Sequence, residues 1–419
     1  MSKRDMTQNR ALCILPYIHL MIKPSGAVKP CCRFDITDDN PNADEMRGLN
    51  IEQMTPGEIL ESEQYKKLRA DMLDGKFITG CYKCYEEEDA TGDSMRLMLN
   101  RTFGATPDHF DETVNLRYIE VTFGNYCNLA CRTCQSHLST TWYDDDIALS
   151  KIPALGREAE EQRLNVEFTW TASDFDNVER IKFTGGEPML HPNFVRFIDT
   201  IMENDNQSHI ELDIYTNASW TPKTRLLNKL TQFKRVTINF SIDGTGKTND
   251  YIRHKSNWSD VVKSTRRWLQ LDAQNYNIET VLCMTFNILN INNLESTIEW
   301  WTRERHRAGA SIFGTPEKRS TTLIMLQTPT YMHIKNHPDL RQRVEDLKQY
   351  LEGRDYRDAG ERFITERFLG RAMELMYKYA DEQHDPSLFW TYTNALDKLR
   401  SESLEQALPE LYEQFKQKQ

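Results

Sequence analysis

No apolar run in this 419-residue chain approaches the roughly 20 residues that a membrane-crossing helix needs. The longest candidate, 11–22, is interrupted by Pro16 and His19. The first ten residues are polar and no cleavage-site pattern follows, so neither a signal peptide nor a span is expected. A basic excess is also missing. The formal net charge is −11, which argues against a nucleic-acid partner, although a local basic groove stays compatible with it. No short-period repeat is visible. Cysteine nearly vanishes after residue 134: Cys283 is the sole later one, and the other eight lie in the first third. An odd count in a chain without an export signal fits a cytoplasmic, reducing location. Disulfides are rare there, and close cysteine spacings more often mean metal or redox chemistry.

Three regions differ in what they do contain. Residues 1–110 hold five cysteines among many Pro, Gly, Asn and Asp, with short apolar runs, as in a small module that needs a metal staple. Within it 55–73 reads as one helix opened by Thr55-Pro56 with Glu58 behind. In 111–330, β-rich runs recur at 117–123, 179–183, 209–215, 235–241, 278–286 and 322–326. Helical stretches fall between them at 135–150, 193–204, 223–231, 258–275 and 293–306, and 151–173 reads as an insertion. Six strands alternating with helices predict parallel pairing in an α/β layer or barrel, with the chemistry on loops at the carboxyl ends of the strands. Residues 331–419 carry almost no strand signal. There 340–351, 361–380 and 388–418 read as helices.

Directly after the first of those strands comes Cys127-x3-Cys131-x2-Cys134, in NYCNLACRTC. Two short spacings on one loop let three thiolates converge on one iron–sulfur cluster. The competing reading is a zinc knuckle that borrows a distant fourth ligand such as His137. Gly185-Gly186-Glu187-Pro188 follows the second strand, Tyr215-Thr216-Asn217 ends the third, and Ser241-Ile242-Asp243-Gly244 ends the fourth. Each is weak alone, because Gly, Asn and Asp-Gly are common after strands. Their order and spacing behind the cysteine loop are the signal. Arg253 follows in DYIRH, and Cys283, in an apolar run, reads as a buried core thiol.

Upstream, Cys13-x12-Gly26-x4-Cys31 and Cys81-x2-Cys84 form a second set. Ser25-Gly26 suggests a hairpin turn that brings Cys13 near Cys31. Cys32 is an alternative to Cys31, since neighbours on a strand point to opposite faces. Four thiolates complete a cluster with no open position, and a structural four-cysteine zinc site is the competing reading. The stretch after Cys84, 85–100, reads as a helix leading to the barrel; within it 86–89 reads as a solvated acidic face, and Ser94 and Arg96 as edge residues facing the active site.

The cysteine loop, GGEP and SxDG together resemble the radical S-adenosylmethionine (SAM) superfamily, over roughly residues 10–330. Thr133 departs from the aromatic residue that many members carry before the last cysteine. The resemblance implies a partial (β/α)6 TIM-like barrel, with a small N-terminal cysteine-rich module similar to the twitch and SPASM modules and a helical C-terminal extension. It implies two [4Fe-4S] clusters and SAM as cofactors. Cys127, Cys131 and Cys134 would hold three irons of one cluster, and the open iron would bind SAM. Gly185, Gly186, Glu187, Asn217, Ser241 and Arg253 would contact SAM. Cys13, Cys31, Cys81 and Cys84 would hold the second cluster, unusually placed ahead of the barrel. Reductive cleavage of SAM would give a 5'-deoxyadenosyl radical that abstracts hydrogen from a peptide or small molecule, with electrons from a donor such as flavodoxin or ferredoxin. The alternative is a non-catalytic iron–sulfur or zinc protein on the same scaffold.

Overall fold

The computed structural model describes residues 9–35, 46–104, 114–160, 164–275, 277–310, 320–382 and 385–417. The expected boundary between the first two regions, at 110/111, lies outside the described residues. Eight strands are described: β1 (His19–Ile22), β2 (Val28–Lys29), β3 (Tyr118–Val121), β4 (Arg180–Phe183), β5 (Glu211–Thr216), β6 (Arg235–Ser241), β7 (Ile278–Phe286) and β8 (Thr321–Met325). Their order in the sheet is β2-β1-β3-β4-β5-β6-β7-β8. β3 to β8 are the six strand units expected of a partial (β/α)6 barrel, each within a few residues of its sequence-based position. The fold class is α/β with a helical C-terminal extension.

The chain packs as two compact units. One comprises 1–124, 164–213 and 232–234; the other comprises 125–163, 214–231 and 235–419. The three-part division expected from the sequence concerns modules of function and is taken up below.

In the first unit β1 pairs parallel with β3 and β3 with β4, while β2 pairs antiparallel with β1. The sequence reading missed β1 as a strand. Its residues lie in the apolar 11–22 run, which gave no period to separate strand from helix. The hairpin at Ser25-Gly26 is present: Gly26 takes φ +77°, and its amide donates to the Lys23 carbonyl at 2.9 Å. One sheet face is apolar, with Leu20, Ile22, Ile119, Val121, Ile181 and Phe183 fully buried. Phe123 continues that core against Phe183, Phe194 and Phe197, at centroid separations of 5.7, 6.3 and 5.5 Å.

Two helices expected as continuous are broken. Residues 55–73 form Pro56–Leu60 and Glu63–Leu73, because Ser62 leaves helical geometry and caps the second helix by accepting from the Tyr65 amide. The stretch after Cys84 forms Tyr82–Thr91 and Met95–Thr102, ended and restarted by Gly92 at φ +74° and by Ser94 as N-cap.

In the second unit β6, β7 and β8 pair in parallel. β7 is buried along nearly its whole length, as a central parallel strand should be. Helices Trp258–Gln274 and Leu294–Ala308 cover the sheet, and bury Trp268 and Trp301. The stretch 135–150 is a loop until 140, then a single 3-10 turn and the short helix Tyr143–Leu149. The C-terminal region gives Leu340–Glu352 and Ala359–Tyr379 as expected. The third stretch divides into Ser387–Arg400, Leu404–Ala407 and Pro409–Lys416, because Ser401 turns to φ +54° and Pro409 starts a new helix. Among the described residues no helix is long and apolar enough to cross a membrane.

Candidate cofactor sites

The cysteine loop lies in the second unit. Cys127 is buried, and Cys131 and Cys134 are partly so. Burial pushes the Cys134 thiol up to about 12, with the charge of Cys131 adding to the rise. Burial likewise raises Cys131, and the nearby Arg253 guanidinium opposes it. Arg253 Nη1 lies 3.7 Å from Cys131 Sγ, and Arg253 is also electrostatically coupled to Cys127. Cys131 and Cys127 thus lie near the buried Arg253 cation, and Cys131 is also an electrostatic neighbour of Cys134. Among the described residues no three His, Cys, Asp or Glu side chains close on a single point as ligands of one metal ion would. A cubane cluster instead takes its thiolates at separate corners.

Of the other expected contacts in this unit, Asn217 stands beside the loop. Its Nδ2 is 3.9 Å from Cys127 Sγ and donates to Asn128 Oδ1 at 2.9 Å. Its Oδ1 accepts from the Ser219 amide and hydroxyl at 2.9 and 2.6 Å. Ser241 is the last residue of β6, in register with Cys283 on β7. Cys283 is a buried core thiol. Arg253 is buried and paired with Asp243 at 2.9 Å. Asp243 is fully buried and accepts from the Thr285 amide at 2.8 Å. Sequence reasoning noted Asp243 only as part of SxDG. Its buried carboxylate fixes the cation at the sulfurs.

The first unit holds GGEP and the second cysteine set. Gly185 and Gly186 both take positive φ, +74° and +52°. A Cβ on Gly185 would come within 2.0 Å of Thr122 Cγ2, so only glycine allows this backbone to lie against β3's end. Glu187 is buried immediately after them. A bare backbone cradle followed by a buried carboxylate suits an amino-acid ammonium, so these residues fit the methionine end of SAM.

Cys13 and Cys84 are buried, and Cys31 and Cys81 partly so. The Cys31 thiol is raised by burial first and then by Cys32, Cys81, Cys13 and Cys84. Cys81 feels Cys13 and Cys84, and Cys13 feels Cys84. These four thiols thus form one electrostatic group. Cys32 departs from it: its Sγ lies 3.8 Å from Met95 Sδ, and its charged neighbours are Glu120, Lys182 and Lys29. Glu88 corrects the reading of 86–89 as a solvated face. Its side chain is only 7% exposed, pairs with Arg96 at 2.6 Å and accepts from Ser94 Oγ at 2.6 Å. Ser94 and Arg96 are therefore engaged inside the module, and Arg96 also donates to the Leu12 carbonyl beside Cys13.

Residues 121–300 match the model of the radical SAM superfamily, and residues 13–85 match that of an iron–sulfur cluster-binding domain, SPASM. The chain carries a radical SAM region over residues 121–300. Its cofactors are SAM and [4Fe-4S] clusters, and the SPASM match lies ahead of the radical SAM core. The chain is 25% identical over 178 residues to a GTP 3',8-cyclase of Syntrophomonas wolfei, covering 41% of the chain and 48% of that protein. It is 32% identical over 126 residues to a GTP 3',8-cyclase of a Sulfurovum species, covering 30% and 34%. The chain thus spans less than two thirds of the length of the curated relatives it matches. Solved structures similar to it include anSMEcpe with bound AdoMet, at 13% identity and TM-score 0.38, covering 57% of this chain and 59% of that one. Another is Streptococcus suis SuiB bound to its precursor peptide SuiA, at 13% and 0.37, covering 70% and 61%.

Proposed function

We propose that this chain is a radical SAM enzyme acting on a peptide or small molecule, with Cys127, Cys131 and Cys134 as ligands of the SAM-binding cluster. The observation that carries the reading is the Cys127-x3-Cys131-x2-Cys134 loop with no fourth cysteine in it, in which Arg253 lies beside Cys131 and near Cys127, and Cys131 neighbours Cys134. When bound, cluster and SAM supply a 5'-deoxyadenosyl radical that abstracts a hydrogen atom. The chain's own residues orient and shield. Arg253, held by Asp243, puts a fixed positive charge at Cys131, and Asn217 supports Cys127 through Asn128. The glycine cradle and Glu187 receive the methionine end of SAM, and Ser241 lies at the strand end where its carboxylate or ribose would be met.

Cys13, Cys31, Cys81 and Cys84 hold a second [4Fe-4S] cluster that accepts or relays an electron. Residues 1–110, 111–330 and 331–419 then correspond to auxiliary module, radical core and helical extension. The protein works in the cytoplasm with a donor such as flavodoxin or ferredoxin. The acidic balance favours a peptide or small molecule over a nucleic acid as substrate. Anaerobic reconstitution followed by dithionite and SAM tests the reading. It requires 5'-deoxyadenosine above the Cys127→Ala background and about eight irons per chain, two clusters of four. No 5'-deoxyadenosine would leave a binding protein, and about four irons with one zinc would remove the second cluster.

A further inference from the structure

The cysteine loop is held by contacts from elsewhere in the second unit. Three of its carbonyls are taken by side chains: Cys131 by Trp142 Nε1 at 2.9 Å, Arg132 by the Tyr392 hydroxyl at 2.5 Å, and Cys134 by Arg157 Nη2 at 2.8 Å. Its amides at Ala130 and Arg132 donate to the carbonyls of His254 and Ile252 at 3.0 and 2.7 Å. Between the last two cysteines, the Arg132 side chain points inward and is only 1% exposed. Nη2 donates to Asp397 Oδ1 at 2.5 Å and to Glu402 Oε2 at 2.6 Å, Nε donates to the Tyr251 carbonyl, and the guanidinium lies 3.7 Å from the centre of the Tyr251 ring.

The C-terminal segment supplies most of these anchors. Asp397 also accepts from the Tyr251 hydroxyl at 2.8 Å and from the Leu404 amide at 2.8 Å. Glu402 holds His254 Nδ1 at 2.7 Å. Arg400 pairs with Asp145 at 2.7 Å and stands 4.5 Å from the Trp142 ring, which Arg157 flanks at the same distance. All of these residues belong to the second unit. The radical SAM match ends at residue 300, so this segment lies beyond the matched core.

We infer that the segment 387–404 preforms the cysteine loop, so that capture and retention of the cluster depend on it. Tyr392, Asp397, Arg400 and Glu402 are positioning residues that act through the loop backbone and Arg132. Restricting a free loop on ligand binding costs backbone entropy at every residue fixed. A loop already fixed by the fold avoids that cost when iron binds, which raises affinity without any new contact to the metal. Desolvating Arg132 between two carboxylates is a poor route to stability alone. It serves geometry, because the paired groups fix where the loop turns.

The inference rests on the reading that Cys127, Cys131 and Cys134 hold a cluster, and the test separates the two. Wild type, Cys127→Ala, Tyr392→Phe, Asp397→Asn and the Asp397→Asn/Glu402→Gln double variant are reconstituted anaerobically and challenged with EDTA. Iron loss is followed with time. The phase absent from Cys127→Ala belongs to the loop cluster. That phase is expected to run at least tenfold faster in the double variant and a few-fold faster in Tyr392→Phe, while the remaining iron is lost at the wild-type rate. A wild type without such a phase sinks the ligand reading. A wild type that shows it, beside variants that lose it at the same rate, overturns the role of the segment. Circular dichroism checks folding. If the double variant unfolds, Tyr392→Phe, which removes one hydroxyl, decides.

Discussion

Arg253 stands with one nitrogen 3.7 Å from Cys131 Sγ and another 2.9 Å from Asp243 Oδ2. Burial alone would disfavour its charge, but Asp243 and the cysteine sulfurs outweigh that and hold it above its ordinary range. A cation beside a cluster ligand favours the reduced, more negative state, and the carboxylate behind it weakens that pull. Opposite shifts in midpoint potential are therefore expected. Arg253→Gln should lower the potential of the loop cluster and Asp243→Asn should raise it, as read by EPR-monitored titration. Shifts of the same sign would refute the electrostatic account. Arg253→Gln also strands a buried carboxylate, with a stability loss of about 3–5 kcal/mol.

The adjacent cysteines Cys31 and Cys32 should behave differently. Cys31 is grouped with Cys13, Cys81 and Cys84, whereas Cys32 neighbours Met95, Glu120 and Lys182. Cys31→Ala is expected to lose about four irons per chain, one cluster's worth, and Cys32→Ala to retain them. Iron and sulfide analysis after reconstitution distinguishes the two. Equal losses would remove the assignment.

Gly185→Ala should damage SAM binding through shape alone. The added methyl meets Thr122 Cγ2 at 2.0 Å, in a backbone conformation with φ +74°. A loss of about 1–3 kcal/mol in stability is expected, together with weaker SAM binding measured by calorimetry. Gly246→Ala, at φ +55° with open space, should cost less and leave SAM binding intact. Combining Gly185→Ala with Thr122→Ser, which removes the clashing methyl, should recover part of the loss. No recovery would show that the close approach is not the cause.

Acid should destabilise each unit through a buried histidine. Burial lowers His19 to about 4 and His337 to about 4, from an ordinary 6.5. Both are neutral in the fold and gain a proton more readily once unfolded. Their contribution is fully present above pH 6.5 and is lost as pH falls toward 4, by about 3 kcal/mol each at 1.36 kcal/mol per pH unit. Urea midpoints measured across pH 4–7 should fall over that window, and more gently in a His337→Gln variant. A flat profile would contradict the burial.

The barrel strands were legible because parallel strands carry β-branched and apolar residues between clear helical stretches, and β6 and β7 fell on their expected residues. Helix breaks were less so. Ser62, Gly92 and Pro409 interrupt patterns whose apolar period continues across them, and a local cap decides such a case against periodicity. At the site, the spacings alone pointed to both thiol sets, since cysteine is conspicuous by residue type. Tyr392, Asp397, Arg400 and Glu402 gave no such signal. Charges interleaved with aromatics in a terminal helix look the same whether they face solvent or a buried Arg132, and contacts spanning 260 to 270 residues leave no local trace.

Those spans also impose an order in time. The turn after Cys131 is made 265 residues before the Asp397 that fastens it. At about 5–20 residues per second a ribosome needs roughly 15–50 s to cover that gap. Through this interval a nascent chain presents its thiols on an unfastened loop. On the role inferred for 387–404, firm metal retention waits for the last helices to emerge, and a chain stopped short of residue 397 is expected to lose its iron faster.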